Sequence, residues 1–243
     1  MEFGERTVSD GVAEGRFTCG DVPGVLWRPV GAAPVERPLV LLAHGGGQHK
    51  LGAGLVARAR RFVAAGFAAV ALDAPGHGER PRTAADQRFA GEVGELLLAG
   101  RPVSAWVVRH SAGLAERAAS EWAAVLDAAA QEGEGLGPVG YWGLSLASGA
   151  GITLAAAEPR LTAAVFGLTG GASLTEAAGR VTVPVEFLVQ WDDAFVPRAT
   201  ALDLYGAFAS PVKTLHANPG GHDDVPDAQL AACEAVLTRR LIR

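Results

Sequence analysis

The chain has only two cysteines, Cys19 and Cys233, near opposite ends of its 243 residues. Two isolated thiols make neither a disulfide framework nor a metal cluster. His-Glu-x-x-His and paired Cys-x-x-Cys are also missing, so the sequence gives no support to a catalytic metal, and no cofactor is expected. Lysine occurs only at Lys50 and Lys213, leaving arginine to carry the positive charge, a usage that reflects coding bias more than chemistry. With 21 basic against 26 acidic residues the net charge is −5, and no basic stripe offsets it, which argues against nucleic-acid binding. No uncharged apolar run reaches the roughly 18 residues a bilayer requires, so no membrane partner is expected. The opening Met1-Glu2-Phe3-Gly4-Glu5-Arg6 lacks the basic start and apolar core of a signal peptide, and a cytoplasmic location is the expectation. No stretch reads as a linker. A single domain over 1–243 follows, large enough for a sizeable core.

What the chain does have is burial: 49% hydrophobic and 19% charged residues describe a well-packed globular protein. Short apolar runs at 39–43 and 67–72 have the length of strands covered on both faces, and further strands are expected at 139–142, 161–167, 185–190 and 213–215. Helical spacing separates them at 54–65, 146–157, 197–208 and 227–241, with Gly66 as a stop. Residues 22–28, and the stretch 6–18 before them, fit an antiparallel edge. This alternation predicts an α/β fold: a mostly parallel sheet flanked by helices. Ligands in such sheets bind at the carboxyl ends of strands. One interval departs from the rhythm. Between Gly78 and Pro138 there is room for two helices, at 86–100 and 105–130. We read 79–112 as a helical insertion or cap over the site, with the rest of the second helix as the crossover.

Chemistry-bearing residues fall at those strand ends. Gly143-Leu144-Ser145-Leu146-Ala147 follows the run 139–142 and precedes a Gly/Ala-rich helix. A strand passing through Gly-x-Ser into a helix lifts one hydroxyl above the sheet, with the helix amino terminus behind it. Only small residues fit beside such a turn. His44-Gly45-Gly46-Gly47 leaves another strand, and its glycines expose backbone N–H groups. An oxyanion hole is expected from the N–H of Leu146 and of Gly46 (or Gly45). After the run 185–190, Trp191-Asp192-Asp193-Ala194-Phe195-Val196-Pro197 offers a carboxylate from either Asp192 or Asp193, the other serving as a cap. Pro219-Gly220-Gly221-His222 follows the last strand. The order Ser, Asp, His is that of one serine-triad fold and not of the others.

These segments, together with Asp73-Ala74-Pro75-Gly76-His77-Gly78, resemble the α/β-hydrolase superfamily over about 24–241. The likeness is to compact esterases, dienelactone hydrolase-like proteins and prolyl-oligopeptidase-like hydrolase domains. It implies Ser145 as nucleophile, His222 as base and a carboxylesterase-like activity through an acyl-enzyme. The family spacing of acid, two residues, then Val-Pro implies Asp193 as the acid. Ala147 replaces the commoner second glycine of the elbow, and no accessory domain precedes the catalytic one, which weakens a peptidase reading. The same residues would also serve acyl transfer or the cleavage of lactones, thioesters or C–C bonds.

Trp191, Phe195, Trp106 and Phe89 are candidates to wall an apolar pocket for a small ester. His44 is expected to orient the oxyanion loop, His77 to be structural and His216 to be packed, while His49 and His110 have no evident partner. Two rival readings compete. Gly52-Ala53-Gly54-Leu55-Val56-Ala57 matches G-x-G-x-x-A, with Asp73 at the distance of a ribose-binding acid, which would indicate a nicotinamide-dependent oxidoreductase. Against it, 44–51 intervenes between strand and glycines. A hydrolase fold that only binds is the other, and the Ser/Asp/His set speaks against it. Oligomeric state is not legible.

Overall fold

A computed structural model describes residues 1–31, 37–99, 104–133 and 137–242, less the side chains at 97 and 104–112. Three antiparallel strands come first: β1 (Glu2–Ser9), β2 (Val12–Cys19) and β3 (Val22–Pro29). The stretch 6–18, expected as edge strand, is divided by a hairpin at Asp10-Gly11, both at positive φ (51° and 76°). Two residues of that conformation between Ser9 and Val12 give a turn whose twist matches the strands it joins.

Strands β4 (Leu39–Ala43), β5 (Ala68–Leu72), β6 (Val139–Gly143), β7 (Leu161–Gly167), β8 (Val185–Gln190) and β9 (Lys213–Asn218) then run parallel. The sheet order is β1-β2-β3-β5-β4-β6-β7-β8-β9, with β3 antiparallel to β5. Helices α1 (Ala53–Ala64), α2 (Ala84–Leu98), α3 (Ser104–Gln131), α4 (Leu146–Ala155), α5 (Thr175–Ala178), α6 (Arg198–Ala207) and α7 (Asp227–Leu241) complete the fold. The short α5 and the 3₁₀ turn before it (Ala172–Leu174) carry too few apolar repeats to register as periodicity. Among the described residues no helix is long and apolar enough to cross a membrane.

Strand periodicity divides the core. Leu39 and Leu41 of β4, with Ala68, Val70 and Leu72 of β5, face a layer built by α3, α4 and α6. Val40, Leu42, Ala69 and Ala71 face the opposite layer, where α1 supplies Leu55, Ala59 and Phe62 and α7 supplies Cys233, Leu237 and Leu241. The neighbouring strands β4 and β6 thus send their following helices, α1 and α4, to opposite faces. A crevice opens at such a reversal, beyond the carboxyl ends of the strands. His44 and Ser145 stand on its two sides.

Candidate active site

The turn from β6 into α4 is strained and tightly supported. Ser145 sits at φ 58°, ψ −123°, a region costing a non-glycine residue on the order of 1–3 kcal/mol. Surrounding contacts hold it there. The Ser145 N–H donates to the Gly167 carbonyl at 2.9 Å. The buried Ser148 hydroxyl lies 2.8 Å from the Gly143 carbonyl and 2.7 Å from that of Gly167, and accepts from the Gly167 N–H at 2.9 Å. The Tyr141 hydroxyl, fully buried, donates to the Ala147 carbonyl at 2.7 Å. A Cβ at Gly143 would lie 2.7 Å from the Tyr141 ring and 2.8 Å from Ala147 Cβ, so the turn takes no larger residue.

Three distant segments meet at this hydroxyl. Ser145 Oγ lies 2.8 Å from His222 Nε2, and His222 Nδ1 lies 2.7 Å from Asp193 Oδ2. The other Asp193 oxygen, Oδ1, accepts the backbone N–H of Phe195 at 2.7 Å and of Val196 at 2.9 Å. Burial pushes the Asp193 carboxyl upward, but these bonds and the imidazole outweigh it and hold the pKa below the usual carboxylate range. Asp192 is exposed and accepts the Gly220 N–H at 3.3 Å. Of the acidic pair, Asp193 is the one that meets the histidine.

The His222 loop is clamped from below. Gln190, at the end of β8 and 1% exposed, directs its amide nitrogen at the carbonyls of Pro219 (3.2 Å) and Gly221 (3.1 Å). Asp224 Oδ2 accepts the Gly221 N–H at 2.7 Å. Neither residue stands out in the sequence, because a loop clamp has no spacing rule.

On the other side of the crevice, the Ala74 N–H donates to His44 Nε2 at 3.0 Å, so the ring proton sits on Nδ1 and is donated to the Gly45 carbonyl at 2.8 Å. Burial lowers the His44 pKa and keeps it neutral. Of the three glycines that follow, only Gly47 lies at positive φ (73°), while a Cβ at Gly46 would meet open space. Leu146 begins α4, where first-turn N–H groups lack intrahelical partners.

Asp73 corrects the nucleotide-binding alternative. Its carboxylate is fully buried and accepts Lys50 Nζ at 2.6 Å, the Lys50 N–H at 2.9 Å and the Glu79 N–H at 3.0 Å. Nothing is left over for a ribose. Gly52, the first glycine of the motif, caps α1 well past the end of β4, so the glycines do not form the strand-to-helix turn a pyrophosphate needs. Lys50 gave no sequence signal of this role, since its partner lies 23 positions away.

A cavity of about 810 Å³ opens over Ser145 and His222. Phe195 lines it and packs on the His222 ring at 5.1 Å, and Phe89, Ala90 and Val93 of α2 line it from the other side. Trp191 does not line it: this ring is 43% exposed beneath the Arg198 guanidinium. The side chains of Trp106 and His110, and the turn at 101–103, lie outside the described residues. His77 directs Nδ1 at the Pro75 carbonyl (2.9 Å), and His216 is held between Glu186 (2.6 Å) and Gln229 (2.9 Å). Neither reaches Ser145.

The chain matches a cold-adapted esterase from an Arctic intertidal metagenomic library at 33% identity and a TM-score of 0.78, over 99% of this chain and 100% of that one. An acetyl xylan esterase from Paenibacillus sp. R4 superimposes with a TM-score of 0.68 at 14% identity, over 97% of this chain and 86% of that one. Dienelactone hydrolase from Anabaena variabilis does so at 0.65 and 20%, over 98% and 97%. These two likenesses concern the fold. No protein-family model and no curated protein sequence matches the chain. Fold, site and the 33% relative together make the chain a member of the α/β-hydrolases, a carboxylesterase-like hydrolase.

Proposed function

We propose that the chain is a serine esterase working through an acyl-enzyme. Ser145 Oγ attacks the ester carbonyl carbon as His222 Nε2 takes its proton. Asp193 fixes the imidazole tautomer and stabilises the imidazolium. The N–H groups of Leu146 and Gly46 receive the oxyanion. His222 then protonates the leaving alcohol, and water cleaves the acyl-enzyme by the same route. The observation that carries this reading is the continuous hydrogen-bond chain from Asp193 through His222 to Ser145, opening into the cavity.

The substrate is a small ester with an apolar portion, suited to the Phe89, Val93, Leu146 and Phe195 lining. We read α2, in the described part of the expected 79–112 insertion, as the cap wall of the site, since Phe89, Ala90 and Val93 line the cavity that holds Ser145. Two measurements test the reading together: fluorophosphonate labelling, and turnover of a short aryl ester by wild type and Ser145→Ala. Wild type should label, and the variant should lose both label and roughly 10⁴- to 10⁶-fold in kcat. An unlabelled wild type, or a variant that turns over normally, refutes it.

A further inference from the structure

One part of the cavity lining comes from α1, from α7 and from the residues just before α7: Leu55, Leu230 and Val225, with Trp142 of β6. This arm includes a guanidinium that the ester chemistry does not use, that of Arg58. The Arg58 side chain is 14% exposed. Its guanidinium carbon lies 4.2 Å from the centroid of the Trp142 ring, and Nε donates to Glu234 Oε1 at 2.7 Å. Stacking and that single bond fix the plane of the group.

Holding Glu234 does not require Arg58. Arg61 donates to the same carboxylate twice, from Nε to Oε2 and from Nη2 to Oε1, both at 2.7 Å. Two guanidiniums share the Glu234 carboxylate, and Asp227 also acts on Arg61. Arg61 is 56% exposed, so solvent accommodates its charge, whereas Arg58 is sheltered. Among the described residues, no protein group bonds Arg58 Nη1 or Nη2, and neither is sealed in the interior. Four N–H donors therefore have no protein acceptor and reach the accessible surface of the cavity lining. A guanidinium placed so presents the planar fork that matches a carboxylate. The acidic side chains elsewhere in the lining are Asp223, exposed beside His222, and Asp86, which accepts from Thr83 at the start of α2.

We infer that Arg58 makes this arm a carboxylate subsite: the substrate is an ester carrying a second, free carboxylate at the end of an apolar chain, such as a monoester of a dicarboxylic acid. The chain lies along Leu55, Trp142 and Leu230, and its terminal carboxylate meets the Arg58 fork while the ester carbonyl lies at Ser145. The inference rests on the serine-esterase reading above.

The test compares aryl monoesters of straight-chain dicarboxylic acids, in a series of increasing length, with their neutral methyl-capped counterparts. For wild type, the ratio of kcat/KM for the acid to that for its neutral counterpart should peak at one chain length, on the order of 10- to 100-fold. In Arg58→Met the ratio should fall to about 1, and Arg58→Lys, which keeps the charge without the fork, should retain part of it. Arg61 keeps Glu234 paired in both variants, and the wild-type series needs no variant at all. A ratio near 1 at every length overturns the inference. So does a ratio that Arg58→Met leaves intact, or one that collapses instead in Arg82→Met, the other guanidinium of the lining. Fluorophosphonate labelling separates the two failures: labelled enzyme without acid preference removes only the subsite, whereas unlabelled enzyme removes the esterase reading with it.

Discussion

Asp193→Asn isolates the role of the carboxylate while barely changing its shape. Oδ1 of Asp193 accepts two backbone N–H groups, from Phe195 and Val196. An asparagine must keep its oxygen there, because the flipped amide would set NH₂ against two donors. Its nitrogen then occupies the position 2.7 Å from His222 Nδ1 and donates to it. The neutral ring is forced to carry its proton on Nε2, the atom facing Ser145 Oγ at 2.8 Å. A protonated Nε2 has no lone pair to receive the serine proton. The wrong tautomer should lower kcat by roughly 10³- to 10⁴-fold, equivalent to about 4–5.5 kcal/mol in the barrier. Turnover of a short aryl ester at neutral pH reads the loss, and a thermal melt shows that the variant is folded. Asp192→Asn, which alters one 3.3 Å contact at an exposed position, should stay within a few-fold of wild type. Asp193→Asn within tenfold of wild type, or Asp192→Asn as the more damaging change, refutes the reasoning.

Gln190→Met removes both bonds from the side chain to the His222 loop while nearly preserving volume, and misplacement of the base should lower kcat by about 10- to 100-fold with a smaller effect on KM. An unchanged kcat would mean that the loop holds itself. Lys50→Met strands the buried Asp73 carboxylate with only two backbone donors, and should cost about 3–5 kcal/mol of stability by urea unfolding; a loss below about 1 kcal/mol contradicts this. For Asp73, Asp193 and Glu234, burial pushes the carboxyl up, but hydrogen bonds and neighbouring cations outweigh it, so the folded pKa lies below the unfolded one. Their stabilisation is therefore complete above the unfolded value of about 4 and lost as pH falls through the folded values. Melting temperature should hold steady down to about pH 5 and drop steeply below about pH 4. A flat profile to about pH 3 would contradict that sign.

Most of the architecture was legible because it rests on local pattern. Wholly apolar runs such as 39–43 and 67–72 mark strands buried on both faces, and each was followed by the turn or helix its spacing implied. The serine turn, the glycine loop, the Asp192–Asp193 pair and His222 were legible for a related reason: each is the residue type expected at its strand end, and the resemblance to the α/β-hydrolases chose Asp193 from the pair. Chain order then joined them. What escaped were contacts between elements that no local pattern couples. Lys50 and Asp73, Gln190 and the 219–221 carbonyls, and Arg58 and Glu234 are partners only once the sheet order is set. Trp191 shows the opposite limit. Its place beside the acid suggested a pocket wall, yet two positions from Asp193 it turns to solvent.

Backbone strain binds these legible and hidden parts together. Ser145 and Leu168 (φ 54°) are non-glycine residues at positive φ, and both line the cavity. They share a support: the Gly167 carbonyl receives the Ser145 N–H, and the Leu168 N–H reaches the Leu188 carbonyl at 3.0 Å. Strain of this kind persists only where packing over-determines it. Here Tyr141 and Ser148 supply buried hydrogen bonds, and Gly151 supplies clearance, since a Cβ there would overlap the Tyr141 ring. The hydroxyl is therefore aimed by the interior beneath it, not by the loop that carries it. A serine in the same pentapeptide without Tyr141, Ser148 and Gly151 under it would relax to an ordinary turn, and its oxygen would leave the line to His222.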